Sequence, residues 1–359
     1  MSKDALPLAR VEAFTSKLGI RLPILLAPMA GACSPSLSIA VANAGGMGAC
    51  GALLMAPDAI AAWADEFRQG SGGAFQINLW IPDPPPARDA EAEAHVREFL
   101  AAWGPVVSAE MGDAKPPDFD AQCEAVLAAR PRAISSIMGL YPPAFVDEMK
   151  RRGILWFATA TTVAEARLAE DAGADAVIAQ GMEAGGHRGA FRAEDAETQL
   201  VGLFALLPQI SDSVSVPVIA TGGIADGRGV AAALILGASA AMIGTGFLRS
   251  PEAKMPPPYA DRLNRTEAHD TRLTRAFSGR PGRSARTRYV EASASPDAPT
   301  PAPYPVQRGL TRPMREEATK AGDPERMQMW AGQAARLAKA EPAAAITESL
   351  WEQARRLLR

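Results

Sequence analysis

Short apolar runs alternate with stretches of helical spacing through the first two thirds of the chain. Residues 23–29, 47–53, 74–80, 133–138, 154–160, 174–179, 216–221 and 240–243 read as strands buried on both faces, because they are continuously apolar, not alternating. Between them, residues 37–44, 57–69, 88–103, 119–129, 142–152, 163–172, 198–210 and 226–236 predict helices. In the second of these, Ile60, Trp63, Ala64 and Phe67 fall on one face. Punctuation agrees: Ser34-Pro35 starts a helix that Gly45-Gly46 stops, and Asp226 and Gly237 bracket the last. The first 20 residues are too weakly patterned to assign. Strands and helices in strict alternation demand a parallel sheet with right-handed crossovers. Eight such strands predict an α/β fold closed as a (β/α)8 TIM barrel.

After Phe247 the repeat ends and proline runs appear at 256–258 and 296–305. The chain therefore divides into a barrel over 1–250 and a C-terminal segment over 251–359, partly helical, laid over the barrel mouth. Residues 314–359 are mostly helical by pattern, with Trp330, Leu337, Leu350 and Leu357 as packing residues. The arginine-rich stretch 272–288 reads as a solvated surface.

Composition narrows the function classes. The chain has 359 residues, 48% of them apolar, and a net charge of −3, which describes a soluble globular protein with no nucleic-acid footprint. Cys33, Cys50 and Cys123 have no paired spacing and no signal-peptide pattern precedes them, which predicts a reducing, cytoplasmic setting. Three scattered histidines offer no metal cluster, no apolar run is long enough to span a bilayer, and nothing sets the oligomeric state.

Chemistry concentrates in Gln180-Gly181-Met182-Glu183-Ala184-Gly185-Gly186-His187-Arg188-Gly189, where a buried strand ends. Glycines there let the backbone approach a ligand, and His187 exchanges a proton near neutral pH. Gln180, Glu183 and Arg188 add more polar equipment than a turn needs. Gly46-Met47-Gly48-Ala49-Cys50-Gly51 fits a dinucleotide fingerprint but lies between a helix and a following strand, the reverse of what that motif requires. Thr221-Gly222-Gly223 and Gly244-Thr245-Gly246 follow the seventh and eighth strands, where such barrels hold a phosphate on backbone amides.

With these stand Ala27-Pro28-Met29-Ala30-Gly31, Asn43-Ala44-Gly45-Gly46-Met47-Gly48, Gln76-Ile77-Asn78-Leu79, Phe277-Ser278-Gly279-Arg280-Pro281 and Trp330-Ala331-Gly332-Gln333. On these motifs the chain resembles the nitronate monooxygenases, formerly called 2-nitropropane dioxygenases. The resemblance implies FMN across the barrel mouth, its phosphate on Gly222, Gly223, Gly244 and Thr245. Gln180 and Gly185 would lie along it, with Ala27, Pro28, Met29 and Asn78 near the ring. It implies His187 as the base toward a neutral nitroalkane and the positioner of a nitronate. The nitronate, such as propionate 3-nitronate, would give an electron to FMN and O2 would take it on, leaving a carbonyl compound and nitrite.

Two departures stand out. Gly72-Gly73-Ala74 lacks a basic residue common before the third strand in relatives, and Gly282-Arg283-Ser284 replaces the usual continuation after Gly-Arg-Pro. Tyr304 and Gln307 are candidates to reach the site from the C-terminal segment. The alternative is an NAD(P)H-dependent flavin reductase of the quinone reductase or enoyl-acyl-carrier-protein reductase type, which shares the glycine clusters and the histidine loop.

Overall fold

A computed structural model describes residues 6–359. The apolar runs become β1 (Ile24–Leu26), β2 (Gly48–Gly51), β3 (Phe75–Trp80), β4 (Ala133–Ile137), β5 (Leu155–Ala160) and β6 (Ala176–Gln180). A two-residue β7 (Gly186–His187) follows, then β8 (Val218–Thr221) and β9 (Ala240–Ile243). All but β7 pair in parallel in the order β1-β9-β8-β6-β5-β4-β3-β2. A parallel bridge between Leu25 and Met47 joins the two ends, with Leu26 N donating to Met47 O at 2.9 Å and Met47 N to Ile24 O at 3.0 Å. The sheet is thus closed, and the expected (β/α)8 barrel is present.

Side chains alternate across its wall. Leu25, Phe157, Ile178, Ile219 and Met242 fill the interior, while Ile24, Leu26, Val177 and Val218 face the surrounding helices. Both populations are apolar, which is why the strands carry no period of two. Pro7–Leu18 is a helix that the weak early pattern does not reveal. Its Phe14 and Leu18 join the interior cluster beside the first residues of β4, β6 and β9, plugging the N-terminal end of the barrel. Its buried positions Val11, Phe14, Thr15 and Leu18 keep helical spacing, with the polar Thr15 among them. The helix expected over 198–210 begins instead at Leu203 and runs to Ser213, because the Glu183 carboxylate accepts from Leu203 N at 2.9 and 3.0 Å and sets its start.

Beyond the barrel, β10 (Thr271–Thr274) and β11 (Gly282–Ala285) form an antiparallel pair, and β11 continues onto β7 through Gly282–His187 and Arg283–Gly186. Arg272, Arg286 and Arg288 are exposed as the surface reading expects, and two other arginines of this stretch correct it. Arg280 is 1% exposed, paired with Asp83 and donating to Ala190 O at 2.7 Å, and Arg283 is buried on Met182 O at 2.8 Å and Thr271 Oγ1 at 3.0 Å. The last helix, Ala343–Leu357, returns to pack against helices Pro35–Asn43 and Gly227–Ile235. It occupies the eighth place in the helical ring. Leu350 is buried there, whereas Leu337 and Leu357, expected to pack, are 43% and 58% exposed. Among the described residues no helix is long and apolar enough to cross a membrane.

Candidate active site

Parallel strands bring their C-terminal ends to one rim, and a cavity of about 440 Å³ opens there. Ala27, Pro28, Met29, Asn78, Gln180, Gly185, His187, Gly222, Gly223, Gly244 and Thr245 all line it. Six different loops and strand ends contribute, so only the closed barrel brings these residues together. The turn after β1 is held by Cys33, whose Sγ accepts from Met29 N at 3.2 Å and donates to Ala27 O at 3.1 Å. Burial pushes that thiol up to about 12, so it serves as a structural hydrogen-bonding group. Asn78 donates from Nδ2 to Ser135 Oγ at 3.1 Å, which fixes its amide.

His187 is clamped from every side. Its backbone pairs with Gly282, and its carbonyl accepts from Gln180 Nε2 at 3.1 Å. Trp80 and Trp330 meet its ring edge-on at centroid distances of 4.6 and 4.7 Å. Nε2 lies 2.7 Å from Ser278 Oγ. The same hydroxyl lies 3.1 Å from Arg280 O; when its one proton is donated there, Nε2 carries the ring proton and Nδ1 the lone pair. Burial, and then the positive charges of Arg280 and Arg308, push the imidazole down to about 3. His187 is therefore neutral at physiological pH.

Glycines form the opposite wall. Gly222 and Gly223 have φ of 116° and 67°, a backbone that side chains disfavour. A Cβ on Gly185 would fall 2.4 Å from Gly332 N, because Trp330-Ala331-Gly332-Gln333 lies directly on this loop, with Gln333 N donating to Glu183 O at 2.9 Å. Thr245 Oγ1 accepts from Gly332 N at 3.0 Å, leaving its hydroxyl proton available. Among the described residues none accepts from the amides of Gly222, Gly223, Gly244 or Thr245. Asp226 caps the helix behind them, accepting from Arg228 N at 3.0 Å and Gly229 N at 3.1 Å. Free amides at strand ends can receive an anion.

Other sequence candidates prove to be supports. Glu183 caps a helix, and Arg188 is buried against Gln180 O, Gln180 Oε1 and Gly181 O at 3.0 to 3.2 Å, holding Gln180 in place. Gln307 turns away from the cavity: it accepts from Ala302 N at 2.9 Å and donates to Ala276 O at 2.8 Å. Tyr304 stands behind Trp80, with ring centroids 5.5 Å apart. Conversely, Trp80 and Arg308 line the cavity without having been signalled by the sequence, and Ser278 was visible only as part of a motif.

A cavity at the C-terminal mouth of a closed parallel barrel, lined by four backbone amides without acceptors and by His187, lies where barrel enzymes carry their sites, and the comparisons make the chain an oxidoreductase. The model of one family, nitronate monooxygenase, matches residues 12–353, and the chain belongs to that family. A probable nitronate monooxygenase of Staphylococcus aureus (strain JH9) is 34% identical over 347 residues, 96% of this chain and 97% of the relative. Nitroalkane oxidase from Streptomyces ansochromogenes superposes with a TM-score of 0.86 at 37% identity, covering 97% of this chain and all of that one. FabK from Thermotoga maritima does so at 0.75 and 30%, over 96% of each chain.

Proposed function

We propose that the protein binds FMN across the barrel mouth and oxidises alkyl nitronates, propionate 3-nitronate among them, with O2 to a carbonyl compound and nitrite. The observation that carries this reading is that four unpartnered amides and one neutral imidazole share a single cavity. Its volume, about 440 Å³, is in the range for a small ligand or cofactor. Gly222, Gly223, Gly244 and Thr245 would hold the phosphate, Gln180 and Gly185 would run along the cofactor, and Ala27, Pro28, Met29 and Asn78 would meet the ring. When bound, FMN supplies the acceptor for the nitronate's electrons and the donor to O2. Residues 1–250 serve in this reading as the FMN-binding barrel and 251–359 as the segment covering its mouth, with the final helix returning to the wall.

His187 has two tasks here. Toward a neutral nitroalkane, the Nδ1 lone pair takes the α-proton while Ser278 holds the ring through Nε2. A base pushed down to about 3 is a weak one, and the negative charge developing on the nitro oxygens beside the new imidazolium offsets that weakness. Toward a nitronate no proton remains to be removed, and the ring only positions the anion.

Two measurements test the reading. Mass spectrometry of the released cofactor should find FMN, since one cradle serves one phosphate; FAD, or no flavin after reconstitution, would end it. An oxygen electrode should then register uptake with nitronates and nitrite release. Uptake only with NADH or NADPH would favour the flavin reductase.

A further inference from the structure

We infer that Arg308 is a second anchor in this cavity, holding a carboxylate on the tail of the substrate, so that the enzyme selects short-chain nitronates bearing a second negative charge. This rests on the nitronate reading above. Among the side chains lining the cavity Arg308 is the one that carries a formal charge, and no carboxylate lines it at all. The cavity is thus positive, although the protein as a whole carries −3.

Each neighbouring arginine has at least one acceptor, although Arg280 Nε is left without one, whereas the Arg308 guanidinium has none among the described residues. Arg280 has Asp83, Arg283 has Met182 O and Thr271, and Arg315 has Gln328 Oε1 at 3.2 Å and Arg308 O at 2.9 Å. Among the described residues no carboxylate or carbonyl accepts from the Arg308 guanidinium, while burial lowers its affinity for its proton. Desolvating a cation without a partner is costly, and an anionic ligand removes that cost. Its position is firm. The helix Val306–Leu310 that carries it is pinned by Gln307 and by Arg315. Gln328, also in the wall, has its amide oxygen occupied by Arg315, which leaves its N–H groups as further donors.

Trp80 meets the His187 ring at 4.6 Å and the Tyr304 ring at 5.5 Å, and Arg308 enters the same cavity wall from the C-terminal segment. One anion, the nitronate, would sit at His187, and the second on Arg308. Guanidinium is suited to a carboxylate because it donates two parallel hydrogen bonds.

The test compares propionate 3-nitronate with propyl 1-nitronate, which has the same number of carbons and no carboxylate. In R308M the ratio of kcat/KM for the two should fall roughly 10- to 100-fold, mainly through KM, the loss expected for a charge-assisted hydrogen bond. R308K should recover part of the ratio. Removal of an unpaired, desolvated charge should leave Tm unchanged or higher. Equal losses on both substrates would overturn the proposal and place Arg308 on the nitronate itself. Should the wild type turn over neither, the nitronate reading fails, but calorimetric titration of malonate still tests Arg308. Weaker binding by R308M than by wild type supports the anchor, and equal or no binding overturns it.

Discussion

His187 is the residue on which the proposed chemistry turns, and its neutrality makes two predictions. General-base help is worth on the order of 10² to 10⁴ in rate, and a nitronate has no use for it. In H187N, turnover of neutral nitroalkanes should fall in that range while pre-formed nitronates lose less and FMN content holds. Equal losses of kcat would leave the ring a positioner only. The second concerns pH. Held at about 3 in the fold against an ordinary value of 6.5, the imidazole binds fewer protons folded than unfolded. Its contribution is full above the unfolded value and is lost as pH falls toward the folded one. The urea midpoint of wild type should therefore drop more steeply than that of H187N between about pH 7 and about pH 4; parallel curves would mean a ring that titrates normally. The sequence marked His187 because it stands at a strand end among glycines. It could not mark what lowers the ring's affinity for a proton, because the segment that helps bury it and carries Arg280 and Arg308 arrives from some 90 to 120 residues downstream and only the fold places it.

At the scale of elements, strand and helix periods were legible through most of the barrel, helix Pro7–Leu18 and the start of helix Leu203–Ser213 excepted. They failed where a segment's partner lies in the C-terminal excursion. The arginine-rich stretch looks polar in sequence, yet β11 buries Arg283 and the turn before it buries Arg280, because Asp83 and backbone carbonyls wait for them. Leu337 and Leu357 keep helical spacing but fall at element ends that nothing covers. The backbones of the loops at 183–185 and 331–333 lie in close contact, and this gives a further test. G185A would place Cβ 2.4 Å from Gly332 N and 2.7 Å from the Ala331 carbonyl carbon, atoms of backbone that cannot step aside. Overpacking of this kind costs roughly 1–3 kcal/mol. Dialysis should strip flavin from G185A that the wild type retains; undiminished retention would show that these two loops are not part of the cofactor site.

For the whole molecule, the barrel explains why motifs scattered from Ala27 to Gly332 converge. Eight parallel strands share one direction, so every loop after a strand opens on the same rim, and the sequence sufficed to read that. What the chain does after β9 was less legible. It runs through β10, β11 and the segment that brings Arg308 and Trp330 into the cavity wall, then returns with Ala343–Leu357 against helices Pro35–Asn43 and Gly227–Ile235. The central claim is that a nitronate, with no nicotinamide, is the reductant of the bound flavin. Anaerobic mixing of the purified yellow protein with propionate 3-nitronate, followed by flavin absorbance, tests this directly. The account predicts bleaching by nitronate alone and recovery on admitting O2. Bleaching by NADH or NADPH, with no response to nitronate, would contradict it.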